Sequence, residues 1–92
     1  MRTLQLSVTD PVGLHARPAA LFVKACNQFT ASIRIRNVTE SGAWVNAKSI
    51  LSLLTAGVKQ DDQIEIEADG IDEETAVARL EALVQSNFAA EV

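Results

Sequence analysis

The chain holds one cysteine, one histidine, one tryptophan and no tyrosine in 92 residues. A lone Cys26 cannot close an internal disulfide and agrees with a reducing compartment. With a single histidine, and Cys26 assigned to an apolar helical stripe, no metal centre is expected. Trp44 has no partner aromatics from which to build a base-stacking platform. No apolar run approaches the ~20 residues that a membrane span requires. Met1-Arg2-Thr3-Leu4 lacks the apolar region of a signal peptide, so a cytoplasmic protein without membrane insertion is expected. Basic residues are also few: 8 Lys and Arg against 12 Asp and Glu give a net charge of −4. That balance argues against nucleic acid as a partner, because such binding draws on dense Lys/Arg surfaces.

What is present suffices for one small domain, residues 1–92, with 48% hydrophobic residues for a single core of modest stability. Leu4, Leu6 and Val8 alternate with polar residues and predict a half-buried strand. Ala19, Phe22, Val23 and Cys26 fall at i, i+3, i+4 and i+7, one stripe of a helix from Ala16 to Gln28. Ile33 and Ile35 alternate with Arg34 and Arg36 in a second strand. A turn over Asn37–Gly42 leads to a short third strand at Ala43–Asn46. Ser49–Ala56 predicts a short helix, closed by Gly57 as a left-handed cap. Ile64, Ile66 and Ala68 alternate with Glu65 and Glu67 in a fourth strand. Asp72 caps a last helix, with Glu73 and Glu74 in its first turn and Val77, Leu80, Leu83 and Val84 toward the core. The order is β-α-β-β-α-β-α. Strands with one apolar face need helices on that face alone, which makes an α+β, two-layer open-faced sandwich.

The chemistry concentrates in Gly13-Leu14-His15-Ala16-Arg17-Pro18-Ala19. The turn Asp10-Pro11-Val12-Gly13 is expected to deliver His15 to a helix start. Pro18 suits the first helical turn, whose N–H groups lack intrahelical partners. Backbone N–H donors and the positive end of the helix dipole favour an anion there. Arg17 adds a guanidinium suited to phosphate oxygens. An imidazole among those groups can accept a phosphoryl group and release it. Taken alone, a lone histidine is more often a surface or capping residue; Gly13, Arg17 and Pro18 shift that balance.

This string resembles the active-site motif of the HPr family, histidine phosphocarriers of the bacterial sugar phosphotransferase system. Lys48-Ser49-Ile50-Leu51, followed by Leu53 and Gly57, is similar to the family's regulatory-serine segment. The resemblance spans essentially the whole chain. It implies an antiparallel sheet in the order 1-4-2-3, which would set Arg34 and Arg36 beside Glu65 and Glu67. It also implies phosphorylation of His15 on Nδ1 by phosphorylated enzyme I, with Ala16 and Arg17 at the phosphate, and onward transfer to IIA proteins. It implies no cofactor, and a phosphoryl carrier rather than a stand-alone enzyme is expected. A monomer is expected.

Ser49 has two readings: a helix N-cap, or the site of an HPr kinase/phosphorylase that would also bring a transcriptional regulator as partner. Ile50, Leu51, Leu53 and Leu54 spread over about 160° of helix circumference. If Leu53 faces inward, Ile50, Leu51 and Leu54 form an exposed patch, and with Ala20 they are the expected docking surface for partners. Asn37-Val38-Thr39 matches a glycosylation acceptor but is set aside for want of a secretory signal. Three positions depart from the family pattern: a longer turn ending at Ser41-Gly42, Ala56 in place of a bulkier aliphatic, and Asp61 where glycine is frequent. Aspartate tolerates positive φ better than most residues. Carriers of a nitrogen-related or dihydroxyacetone branch, and a purely regulatory docking module, are the alternatives.

Overall fold

The structure is a computed structural model that describes residues 1–9, 13–14, 16–86 and 88. Its elements are β1 (Arg2–Ser7), α1 (Ala16–Cys26), β2 (Ser32–Asn37), β3 (Val45–Asn46), α2 (Ile50–Thr55), β4 (Gln63–Asp69) and α3 (Glu73–Gln85). The four strands form one antiparallel sheet in the order β1-β4-β2-β3, as the resemblance implies. Alternation decides which face is covered. Leu6, Ile33, Ile35, Ile64, Ile66 and Ala68 are buried in one cluster with Phe22, Leu53 and Leu80 from the three helices.

The opposite face carries charge. Register places Arg34 across from Glu67 and Arg36 across from Glu65. Both ion pairs form, the second at 2.7 Å from Arg36 Nη2 to Glu65 Oε1. Such pairs contribute roughly 0.2–1 kcal/mol each and chiefly fix register. Trp44 joins them: its ring lies 4.8 Å from the Arg34 guanidinium carbon and 5.2 Å from that of Arg36. The tryptophan therefore stacks on cations rather than standing alone.

Several elements differ from the sequence-based expectation. α1 ends at Cys26; Asn27 and Gln28 form a turn, with Gln28 N–H donating to the Ala25 carbonyl at 3.1 Å. This i−3 bond tightens the last turn, as helix ends often do. Ala25 is buried beside Ala19, Phe22 and Cys26, whereas Val23 is half-buried at the margin of the core. β3 is only Val45–Asn46, because the Asn37 carbonyl is taken by Gly42 N–H at 2.9 Å and the chain is still turning there. In α3 the buried set is Ala76, Leu80, Leu83 and Val84, with Val77 half-buried. Asp72 precedes α3 but makes no side-chain cap bond. Its carboxylate instead accepts the N–H groups of Thr30 and Ala31, both at 2.8 Å.

Two local expectations hold. Gly57 has φ +62 after α2, and Asp61 has φ 71. No helix among the described residues is long and apolar enough to cross a membrane.

Candidate functional site

The site is built where the chain passes into α1. Gly13 sits at φ +71, where a Cβ would meet the Val58 carbonyl oxygen and lie 2.8 Å from Lys59 Cα. Glycine is thus required twice over, by backbone conformation and by close approach. Leu14 follows, 1% exposed, its N–H donating to the Val58 carbonyl at 3.1 Å. His15 lies outside the described residues; covalently it joins Leu14 to Ala16, the first residue of α1. The Ala16 side chain is likewise outside the description. Pro18 is buried in the first turn, where its missing N–H leaves no helical bond unmade.

Arg17 is exposed in that same turn, and its Nη2 donates to the Phe88 carbonyl at 3.4 Å. Phe88 is fully buried, at φ 65, with its N–H bonded to the Leu83 carbonyl at 2.9 Å. The segment after α3 thereby touches the side chain expected to bind phosphate. Sequence reasoning missed this contact, since 71 positions separate the two residues; the one signal was a large aromatic beyond the end of the last helix.

α2 presents the expected apolar patch. Leu53 is 0% exposed, whereas Ile50, Leu51 and Leu54 are 41%, 75% and 38% exposed. Ala20 is exposed on α1, on the face that also carries Arg17 and Lys24. Neither helix contains an acidic residue. Between Gly13 and Gln60 the sole carboxylate is Glu40, against Arg17, Lys24, Arg34, Arg36, Lys48 and Lys59. Beyond Gln60, Arg79 is the sole base among a run of Asp and Glu. With Arg34 and Arg36 paired on the far face of the sheet, Arg17 and Lys24 on α1 and Lys48 and Lys59 flanking α2 are the basic residues on and beside these two helices.

Ser49 and the turn into α1 stand apart. Asn27 Nδ2, just past α1, donates to the Lys48 carbonyl at 3.1 Å, so α2 starts where α1 ends. The chain after α2 returns to Leu14 through the Val58 bond. Ser49 is therefore about 15 Å, one length of α1, from the residues that flank His15. Its hydroxyl accepts Ser52 N–H at 3.3 Å, the N-cap geometry. Lys48 reaches the other way, its Nζ donating to the Phe29 carbonyl at 2.7 Å.

Other candidates are accounted for. Cys26 is buried, and loss of solvation pushes its thiol up to about 12, which keeps it an inert core residue. Among the described residues no group of three His, Cys, Asp or Glu could hold a metal. Asn37 is 0% exposed, so its glycosylation triplet is inaccessible. Its amide donates to Asp62 Oδ2 at 3.0 Å and to the Ala56 carbonyl at 3.2 Å. Those two contacts were not legible in the sequence.

Residues 3–86 match the family model described as the PTS HPr component phosphorylation site. The chain is 40% identical over 87 residues to the phosphocarrier protein HPr of Mycoplasma pneumoniae, covering 95% of this chain and 97% of that protein. Among solved structures, HPr-C-His from Thermoanaerobacter tengcongensis superposes with a TM-score of 0.92 at 37% identity, each chain covered to 100%. A phosphocarrier protein HPr from Bacillus anthracis superposes at 0.77 with 40% identity, over 90% of this chain and 98% of that one. Near-complete coverage in sequence and in fold leaves one conclusion: the chain belongs to the HPr family, the phosphocarrier proteins of the phosphotransferase system.

Proposed function

We propose that His15 is the residue that carries the phosphoryl group, with the backbone at Ala16 and the Arg17 guanidinium holding its oxygens. The protein is a PTS phosphocarrier, and family membership implies enzyme I and IIA proteins as partners in the cytoplasm. The observation that carries the assignment is the setting of the motif: Gly13 at positive φ, Leu14 bonded to Val58, and α1 beginning one residue after His15.

The transfer is a displacement at phosphorus. An unprotonated imidazole nitrogen of His15, Nδ1 by the family resemblance, attacks the phosphorus carried by enzyme I. A P–N bond forms as the bond to the donor breaks, and its electron pair leaves with the donor. A helix N-terminus disfavours imidazolium and so keeps the attacking lone pair available. Arg17 stabilises the oxygens in the transition state and in phosphohistidine. A IIA nucleophile then repeats the displacement in the other direction. The residues 1–92 act as one HPr-like domain, in the sugar branch of the system.

The deciding experiment is incubation with purified enzyme I and phosphoenolpyruvate. The protein should gain an acid-labile, base-stable phosphate, and His15→Ala should gain none. Undiminished labelling of His15→Ala would remove the assignment.

Docking is assigned to Ala20, Ile50, Leu51 and Leu54, exposed apolar residues on two helices that hold no acidic residue. Ser49 is assigned as the α2 N-cap. Its modification by an HPr kinase/phosphorylase, with a transcriptional regulator as the reader, is the regulatory reading; incubation with that kinase and ATP tests it directly.

A further inference from the structure

The segment that leads into His15 is gripped on both sides by one short loop. At its start, Val8 N–H donates to the Asp62 carbonyl at 2.9 Å, and Asp61 N–H donates to the Val8 carbonyl at 2.6 Å. At its end, Leu14 N–H donates to the Val58 carbonyl at 3.1 Å, and Gly13 lies against Val58 and Lys59. Residues 58–62 thus hold Val8 on one side and Gly13-Leu14 on the other. Val58 anchors one end of this loop in the core, 1% exposed, and something must also fix the residues that follow it.

That something is a buried polar pair. Asp62 is 8% exposed and Asn37 0%. Asp62 Oδ2 accepts Lys59 N–H and Asn37 Nδ2, both at 3.0 Å. The Asn37 amide also donates to the carbonyls of Ala56 and Gly57, at 3.2 and 3.4 Å. Its Oδ1 accepts Glu40 N–H at 3.3 Å. One amide and one carboxylate therefore tie the end of α2, the loop 58–62 and the β2–β3 turn together. Among the described residues no buried side-chain polar atom lacks a partner, so the network is fully satisfied, the condition under which buried polar groups rigidify rather than destabilise.

We propose that Asp62, working through Asn37, is a positioning residue for phosphoryl transfer: its carboxylate sets the loop that holds Val8 and Gly13-Leu14, and so the approach of the chain to His15. The inference rests on the assignment of His15 above. Docking uses the outer face of α2 and α1, which these two side chains do not form. Removing the carboxylate therefore alters the chemical step and leaves partner binding alone. Small misplacements of a reacting group cost one to two orders of magnitude in rate.

The test measures phosphorylation by enzyme I and phosphoenolpyruvate, together with hydrogen exchange at the Leu14 amide. Asp62→Ala should lower kcat roughly tenfold at unchanged KM, with accelerated Leu14 exchange. Asp62→Asn should recover part of the rate, since its amide oxygen still accepts Lys59 N–H. Ile33→Val or Ile33→Ala, chosen to match the loss in melting temperature, should keep the wild-type kcat. A wild-type kcat for Asp62→Ala, or an equal fall in the matched Ile33 variant, overturns the proposal. Should Asp62→Ala fail to fold, Asp62→Asn carries the same comparison, with a partial fall expected and a wild-type kcat decisive against it. Label retained by His15→Ala is a separate failure, of the His15 assignment; Leu14 exchange reports on Asp62 whichever residue holds the phosphate.

Discussion

Asp72 accepts the backbone N–H groups of Thr30 and Ala31, both at 2.8 Å, and so fastens the start of α3 to the chain entering β2. The N–H of Thr30, and to a lesser degree that of Ala31, hold its carboxyl below the usual carboxylate range. In the unfolded chain the same group titrates near about 4. Its folded value is depressed, so its stabilisation is complete above that pH and is lost as pH falls through the folded value. Asp72→Ala should therefore destabilise at pH 7, and the difference from wild type should shrink steadily below about pH 4. Urea titrations at pH 7 and pH 3 check this; an equal difference at both would reject it.

Gly13→Ala and Gly57→Ala separate two costs. Both glycines have positive φ, but Gly57 has nothing within 4 Å of an added Cβ, whereas Gly13 faces the Val58 and Lys59 backbone. Gly57→Ala should cost about 1–2 kcal/mol, from backbone conformation alone. Gly13→Ala must add displacement of the loop, so its loss of stability should exceed that of Gly57→Ala, and phosphoryl transfer should slow. Thermal melts and a labelling time course measure the two effects.

Ser49→Ala removes the α2 cap. The hydroxyl accepts Ser52 N–H at 3.3 Å, a long bond. The cost should fall at the low end of the roughly 0.5–2 kcal/mol range for N-caps. His15 labelling by enzyme I should be unaffected, because the cap lies at the opposite end of α1 from the turn. A loss of labelling without loss of stability would give Ser49 a part in docking instead.

Leu51 is 75% exposed at the centre of the α2 patch. Leu51→Glu introduces a carboxylate into an apolar patch on a pair of helices that hold no acidic residue. The KM for enzyme I should rise at least tenfold while the melting temperature stays within a degree or two, since an exposed side chain contributes little to folding. Raising salt should also raise the wild-type KM, because exposed charges are screened within about 10 Å at 0.1 M. Unchanged kinetics in Leu51→Glu would place docking elsewhere.

Arg17 is the last of these tests. Lysine keeps the charge and loses the planar fork, so Arg17→Lys should slow transfer and Arg17→Ala should slow it further, in both directions. Equal rates for the two variants and wild type, followed by rapid-quench labelling, would make the residue a bystander.

What could be read without coordinates was whatever depends on neighbours in the chain. Alternation in Ile33–Arg36 and Ile64–Glu67 marked the strands, and opposite charges on their exposed positions matched the observed register. Helical spacing showed that α2 has more aliphatics than one face can bury, and the structure decided that Leu53 is the one turned inward. Positive φ at Asp61 was implied by the family resemblance, in which glycine is frequent at that position. The misses were distant contacts. Nothing local distinguished Asp72 as a clamp on Thr30 and Ala31 from a simple cap, since either role uses the same carboxylate. Nothing in Asn37-Val38-Thr39 announced a buried amide.

By itself the sequence determined the chemistry on offer: a single imidazole, a guanidinium two residues on, and a proline that tolerates the first turn of a helix. Those follow from residue type and spacing, which act over a few bonds. The tertiary structure decided which loop seats that motif, that Ser49 lies a helix length away, and that Phe88 reaches Arg17. Such pairings join positions many residues apart, and they are fixed only when burial of one shared core forces distant backbone groups to find each other.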